Sequence, residues 1–239
     1  MLMAAGFCML EAGMVRTKSV ATICTKNIVL YSMAGILYFL VGYNLMYSGV
    51  DGGFIGTFSP FDVADPSIET SDSGYAGASD WFFQMVFVAT AASIVSGAVA
   101  ERVKLWSFLL IVVVLTAIIY PIQGSWTWGA GWLSNLGFSD FAGSTIVHSV
   151  GGWCALAGCI VLGARKGKYS KSGDVNPMPA SALPLATLGT FLLWFGWFGF
   201  NGGSQLALGS VADASAMARI FCNTNLAAAG GVVTALVLC

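Results

Sequence analysis

The hydrophobic positions of this 239-residue chain fall in long blocks separated by short polar connections. Uncharged stretches cover roughly 27–49, 81–100, 105–122, 141–164, 181–202 and 220–239, each near the ~20 residues a helix needs to cross bilayer hydrocarbon. The uncharged run from 105 continues to 139, but Pro121, Gly124, Gly129 and Gly131 interrupt it. That pattern predicts one helix followed by a re-entrant or surface segment. Ahead of these blocks stands MLMAAGFCMLEAGMV, residues 1–15, too short to span alone. It has no basic leading segment and no small-residue cleavage site, so it does not read as a signal peptide. An interfacial helix would account for it, but a span whose beginning is missing fits the block pattern better. No repeat with a period of about 20–50 residues is visible, which excludes solenoid arrays.

Charge gives the blocks a direction. The basic residues are Arg16, Lys18, Lys26, Arg102, Lys104, Arg165, Lys166, Lys168, Lys171 and Arg219. Seven spans beginning outside put all but Arg219 on the inner side, as the positive-inside bias requires. The same count places Asp51, Asp62, Asp65, Glu69, Asp72 and Asp80 together outside. Composition agrees: 57% of residues are hydrophobic and 9% charged, against roughly a quarter charged in soluble domains. A net charge of -1 without a basic run gives no signature of nucleic-acid binding. The six cysteines show no metal-ligand spacing and only one histidine is present, so no metal or cofactor is expected. The 30 glycines suit closely packed helices, with 91–100 and 185–190 as contact stretches.

The single histidine, His148, lies eight residues into the block 141–164, about 12 Å deep at 1.5 Å per residue. A charged ring there is costly, so the neutral form is expected, with one nitrogen donating and the other accepting. It either ties a neighbouring helix or serves a path for a polar species. Gly151 and Gly152 follow and would leave room beside it. Asp140, at the start of the same block, reads as a helix cap. Aromatic residues cluster near the outward ends: Phe83 and Phe87 one turn apart, then Trp126, Trp128 and Trp132, then Trp194, Trp197, Phe198 and Phe200. They fit an interfacial belt or a cage whose ring faces attract ammonium-type cations by roughly 0.5–2 kcal/mol.

Four segments, GFCMLEAGMVR, GAVAERVK, DFAGSTIVHSVGG and GWFGFNGGS, closely resemble the ammonium transporter family (the Amt/Mep/Rh superfamily) in order and spacing. The resemblance runs through the whole chain. It implies an all-α, polytopic transmembrane helix bundle of eleven spans built from inverted repeats, with the N-terminus outside. It further implies a homotrimer in the plasma or inner cell membrane. About seven of those spans would be present here, in a chain truncated at both ends. The second pore histidine and a tail contacting a cytoplasmic regulatory protein would belong to later sequence.

Residue by residue, the resemblance assigns Trp128, Phe87, Phe83 and Ser204 to substrate recruitment. It assigns His148, Phe200 and Trp197 to the gate and pore, and gives Asp140 a structural role near the site. Trp128 together with Ser204 is similar to the Amt branch. The implied activity is transport: ammonium is recruited at the aromatic site and deprotonated, and ammonia passes a hydrophobic pore lined by histidine. The alternative is an ammonium-sensing membrane domain of a signalling protein. No nucleophile–base pair or metal cluster suggests an enzyme.

Overall fold

The computed structural model describes residues 1–64 and 75–239. Asp65, Glu69 and Asp72 of the acidic stretch lie outside the described residues. Among the described residues the chain is helical, with one isolated bridge between Tyr169 and Val175 and no strand. Helix α1 runs Leu2–Met14, α2 Thr17–Tyr47, α3 Gly77–Ala98, α4 Leu105–Ser125, α5 Ser144–Leu162, α6 Leu183–Gly203 and α7 Val211–Leu238. All but α1 are long and apolar enough to cross a membrane.

Three helices start earlier than the charge-free blocks predicted: α2 at Thr17 rather than 27, α3 at Gly77 rather than 81, and α7 at Val211 rather than 220. A charge-free criterion cuts a helix at any ionised residue, whereas the fold keeps one that is paired. Lys26, expected on the basic flank, is only 2% exposed. Its Nζ lies 3.7 Å from Glu11 Oε2, donates to the Ser96 carbonyl at 2.7 Å and sits 4.8 Å from the centre of the Phe108 ring. Ser96 Oγ donates to the same Glu11 oxygen at 2.7 Å. Helices α1 to α4 each contribute a residue to this cluster, which offsets part of the several-kcal/mol desolvation cost of a buried charge. At α7 the early start comes from Ser210, whose hydroxyl accepts from the Asp213 amide at 3.1 Å and donates to its carboxylate at 2.6 Å. Arg219, expected in the preceding loop, therefore lies about two turns inside the helix.

Pro121 does not end α4. A π turn over Leu115–Ile119 precedes it, and the helix continues to Ser125, because the wider turn accommodates the ring and its missing N–H. The segment that follows is structured: Trp126 Nε1 donates to the Phe54 carbonyl at 2.9 Å, and Trp132 packs between Trp126 and Phe54. These two tryptophans hold loops together. Where helices cross, backbones touch. A Cβ on Gly189 of α6 would run into the Leu10 amide nitrogen of α1, and one on Gly151 of α5 would lie 2.9 Å from the Ala91 carbonyl of α3. Gly152, expected to share that role, faces open space.

One end of the bundle is tied by charge. Glu101, just after α3 and in the left-handed backbone region at φ 61°, accepts from Arg16 Nε at 2.8 Å, Ser19 Oγ at 3.0 Å and Arg165 Nη1 at 2.8 Å. Burial alone would push its carboxyl up. Hydrogen bonds from the two guanidinium groups and the hydroxyl outweigh that and hold it at about 2.

Candidate functional site

The opposite end is aromatic. Helix α3 enters it with Asp80, Phe83, Gln84 and Phe87 at successive-turn spacing, so one helix face carries all four. Phe83 and Phe87 meet edge to face at 4.5 Å. Trp128 comes from the loop after α4, with its ring 5.8 Å from Phe87. What places Trp128 is α5: its indole N–H donates to the Asp140 carbonyl at 2.7 Å. The Asp140 carboxylate in turn accepts from four backbone amides, Gly143 and Ser144 on one oxygen and Thr145 and Ile146 on the other, at 2.8–3.1 Å. This is a complete cap of the first turn, where a carboxylate meets both free N–H groups and the positive end of the helix dipole. Gly143 makes the junction possible. It holds φ at 98°, and a Cβ there would meet Val147 at 2.5 Å and the Trp128 ring at 3.2 Å.

Trp128, Phe83, Phe87 and Ser204 line one cavity of about 260 Å³, together with Tyr47, Asp80, Gln84, Phe141 and others. Ser204 closes α6 and donates to the Phe200 carbonyl at 2.8 Å. Its proton is thereby engaged, and its lone pairs remain to accept. Below the cavity the rings continue in file. Phe200 stands 4.2 Å from Phe87, His148 stands 5.4 Å from Phe200, and Trp197 stacks on His148 at 5.6 Å and 7°. All seven aromatic and polar side chains expected at the site thus fall along one track, with Asp140 behind it.

His148 belongs to the π turn Ser144–Ser149 that opens α5. Its Nδ1 lies 3.2 Å from the Gly143 carbonyl. A carbonyl only accepts, so in the neutral ring Nδ1 carries the proton and Nε2 is left as a bare acceptor on the far edge.

Sequence reasoning counted Asp80 only among the acids of a loop and passed over Gln84 and Tyr47. Asp80 accepts from the Tyr43 hydroxyl at 2.7 Å. Gln84 is 7% exposed, and its amide oxygen has no partner among the described residues. The signal that could have found them is the helical spacing of Asp80 and Gln84 with Phe83 and Phe87.

The sequence profile described as the Ammonium Transporter Family matches residues 1–239. The chain is 45% identical to ammonium transporter Amt2 of Archaeoglobus fulgidus, over 100% of this chain and 51% of that protein. It is 38% identical to ammonium transporter Amt1 of Haloferax mediterranei, over 98% and 47% respectively. Among solved structures it is similar to a "Sensor Amt Protein", with a TM-score of 0.89 and 42% identity over 99% of this chain and 58% of that one. It is also similar to Saccharomyces cerevisiae Mep2, with a TM-score of 0.72 and 27% identity over 87% and 46%. The chain spans about half the length of the relatives it matches. With a family match along every residue and a bundle that superimposes on these structures, this chain belongs to the Ammonium Transporter Family.

Proposed function

We propose that the protein carrying this chain moves ammonium/ammonia across a cell membrane, and that the ring file from Trp128 to Trp197 is the part of the route formed here. The carrying observation is the junction of a polar, ring-lined cavity with a line of rings too close for a hydrated ion. An ammonium ion cannot enter hydrocarbon with its charge, whose desolvation in a low-dielectric medium costs tens of kcal/mol. In the cavity, the faces of Trp128 and Phe87 and the oxygen of Ser204 replace part of its water shell. The Phe87–Phe200 contact passes only a small neutral species, so the ion yields its proton to cavity water and ammonia proceeds. His148, with Nε2 accepting, then gives the neutral molecule a hydrogen-bonding partner on the way to Trp197.

On this reading the cavity faces outward, the Glu101 end faces the cytoplasm, and three copies assemble in the plasma or inner membrane, each with its own route. Arg16, Arg102, Lys104, Arg165 and Lys166, gathered around the Glu101 end, support that orientation.

The test is reconstitution in liposomes with selective uptake as readout. Trp128→Leu should raise the KM for ammonium and weaken its selection over potassium, with Trp128→Phe recovering part of both. A ring-face contribution of about 1 kcal/mol corresponds to a change of roughly fivefold. A leucine variant with unaltered KM and selectivity would return Trp128 to a packing role. A second reading, an ammonium-sensing domain with little flux, draws on the likeness to a structure titled as a sensor. Saturable ammonium binding without uptake by the reconstituted protein would favour it.

A further inference from the structure

Among the described residues the entrance cavity holds one carboxylic acid, Asp80, beside the rings and the hydroxyl assigned to recruitment. It also lines a smaller, adjoining recess of about 180 Å³ formed with Tyr75, Ser79, Phe83, Gly203 and Leu206. The carboxylate is held in place: Tyr43, from α2, donates to Oδ2 at 2.7 Å. The Gln84 side chain is a second hydrogen-bonding neighbour, and part of the acceptor capacity remains for other partners, since a carboxylate offers about four lone-pair sites. The entrance cavity of about 260 Å³ is several times the ~30 Å³ share of a water molecule. It therefore has room for a small cation with part of its hydration shell, a larger guest than a tight dehydrated cage would take. Ring faces and a serine oxygen orient such a guest but do not balance its charge.

We propose that Asp80 is the counter-charge of this cavity, drawing a small, partly hydrated monovalent cation of the ammonium class to the rings before it loses its proton. This extends the transport reading above and rests on it for the identity of the cation. Ammonium would enter along the Asp80 side of α3, with water bridging it to the carboxylate, and then pass one turn onward to Phe83 and Phe87. The same carboxylate disfavours anions at the entrance and makes recruitment sensitive to ionic strength, as expected for a cleft lined by one sign of charge.

The experiment pairs ammonium chloride titration by calorimetry with uptake kinetics, both on the complete protein, at low and high concentrations of an inert salt. Asp80→Asn should weaken binding and raise KM by about tenfold, the lower end of what a charged cleft contributes, while kcat changes little. Asp80→Glu should restore most of the loss. Tyr43→Phe keeps the carboxylate and removes the tie between α2 and α3, so it should lower thermal stability and raise KM far less than Asp80→Asn. If Asp80 only ties helices, Asp80→Asn and Tyr43→Phe will behave alike, with lower stability and unchanged KM, and the proposal is overturned. Should the asparagine variant fail to insert, the wild-type protein still decides. Its KM must rise toward ~1 M inert salt, where the screening length is about 3 Å, and a flat response overturns the proposal. Absence of uptake with Asp80-dependent binding would sink the transport reading and leave the counter-charge standing.

Discussion

At the scale of single residues, His148 shows what a ring does that an aliphatic side chain cannot. Its Nδ1 is engaged by the Gly143 carbonyl, Trp197 stacks on its ring and Phe200 meets it in a T-shaped contact, so Nε2 is the ring nitrogen left to serve a passing polar molecule. On the conduction reading, His148→Ala should slow ammonia or blur selectivity, and His148→Asp should admit cations such as potassium. The structural alternative makes the opposite forecast. Loss of the hydrogen bond to Gly143 would then cost about 1–3 kcal/mol, visible as a lower melting temperature with normal selective uptake in the surviving protein. Measuring both quantities on one purified preparation decides between them. Residue type at this site was legible in the chain: an imidazole, a run of rings and a hydroxyl stand out against apolar surroundings. Asp80 was legible only through its helical spacing from Phe83 and Phe87, which its place in a run of acidic residues obscured.

At the scale of elements, the opening of α5 is the joint on which the site depends. Four amides converge on the Asp140 carboxylate, its backbone carbonyl holds Trp128, and the π turn that follows sets the azimuth of His148. Asp140→Ala leaves the Trp128 bond to the main chain intact but releases the amides. The loss of a helix cap costs about 1–2 kcal/mol, so thermal stability should fall by that order and His148 should lose its fixed position. Uptake should drop with it. Asp140→Asn keeps one oxygen for two of the four amides and turns an NH2 group toward the other two, so it should recover only part of the stability. Full stability in the alanine variant would show that the turn holds without its cap. The element boundaries teach a related lesson. Blocks free of charge overlap each of the six longer apolar helices among the described residues, yet they cut α2 short at Lys26, α3 at Asp80 and α7 at Arg219, because pairing and capping are invisible to a count of charges.

At the scale of the whole molecule, the two ends of the bundle differ in kind, and that difference implies an orientation. One end is knotted by Glu101 to Arg16 and Arg165; the other carries the ring-lined cavity and the Asp140 cap. Single cysteines on a background without the native ones test the sidedness. A membrane-impermeant thiol reagent should reach Leu136→Cys, beside the cavity end, from outside the cell, and Ser172→Cys only after the membrane is opened. Reversed labelling would invert the proposed direction of recruitment along with the topology.

The amino-acid sequence by itself determined that this is an all-helical membrane bundle, roughly where its helices run, and which residue types stand near its aromatic end. It could do so because long apolar blocks, interrupted by charge and by glycine–proline punctuation, have few physical solutions other than spanning helices. Only the tertiary structure decided which faces meet. It brought Glu11, Lys26 and Ser96 into one buried cluster, turned Asp80 from a loop acid into part of a cavity wall, and lined Phe87, Phe200 and His148 into a single file. These depend on helix rotation and crossing, set by backbone contacts at Gly189 and Gly151 and by π turns that shift the register of a helix face. Such terms couple residues distant in the chain, and a linear pattern of polarity carries no record of them.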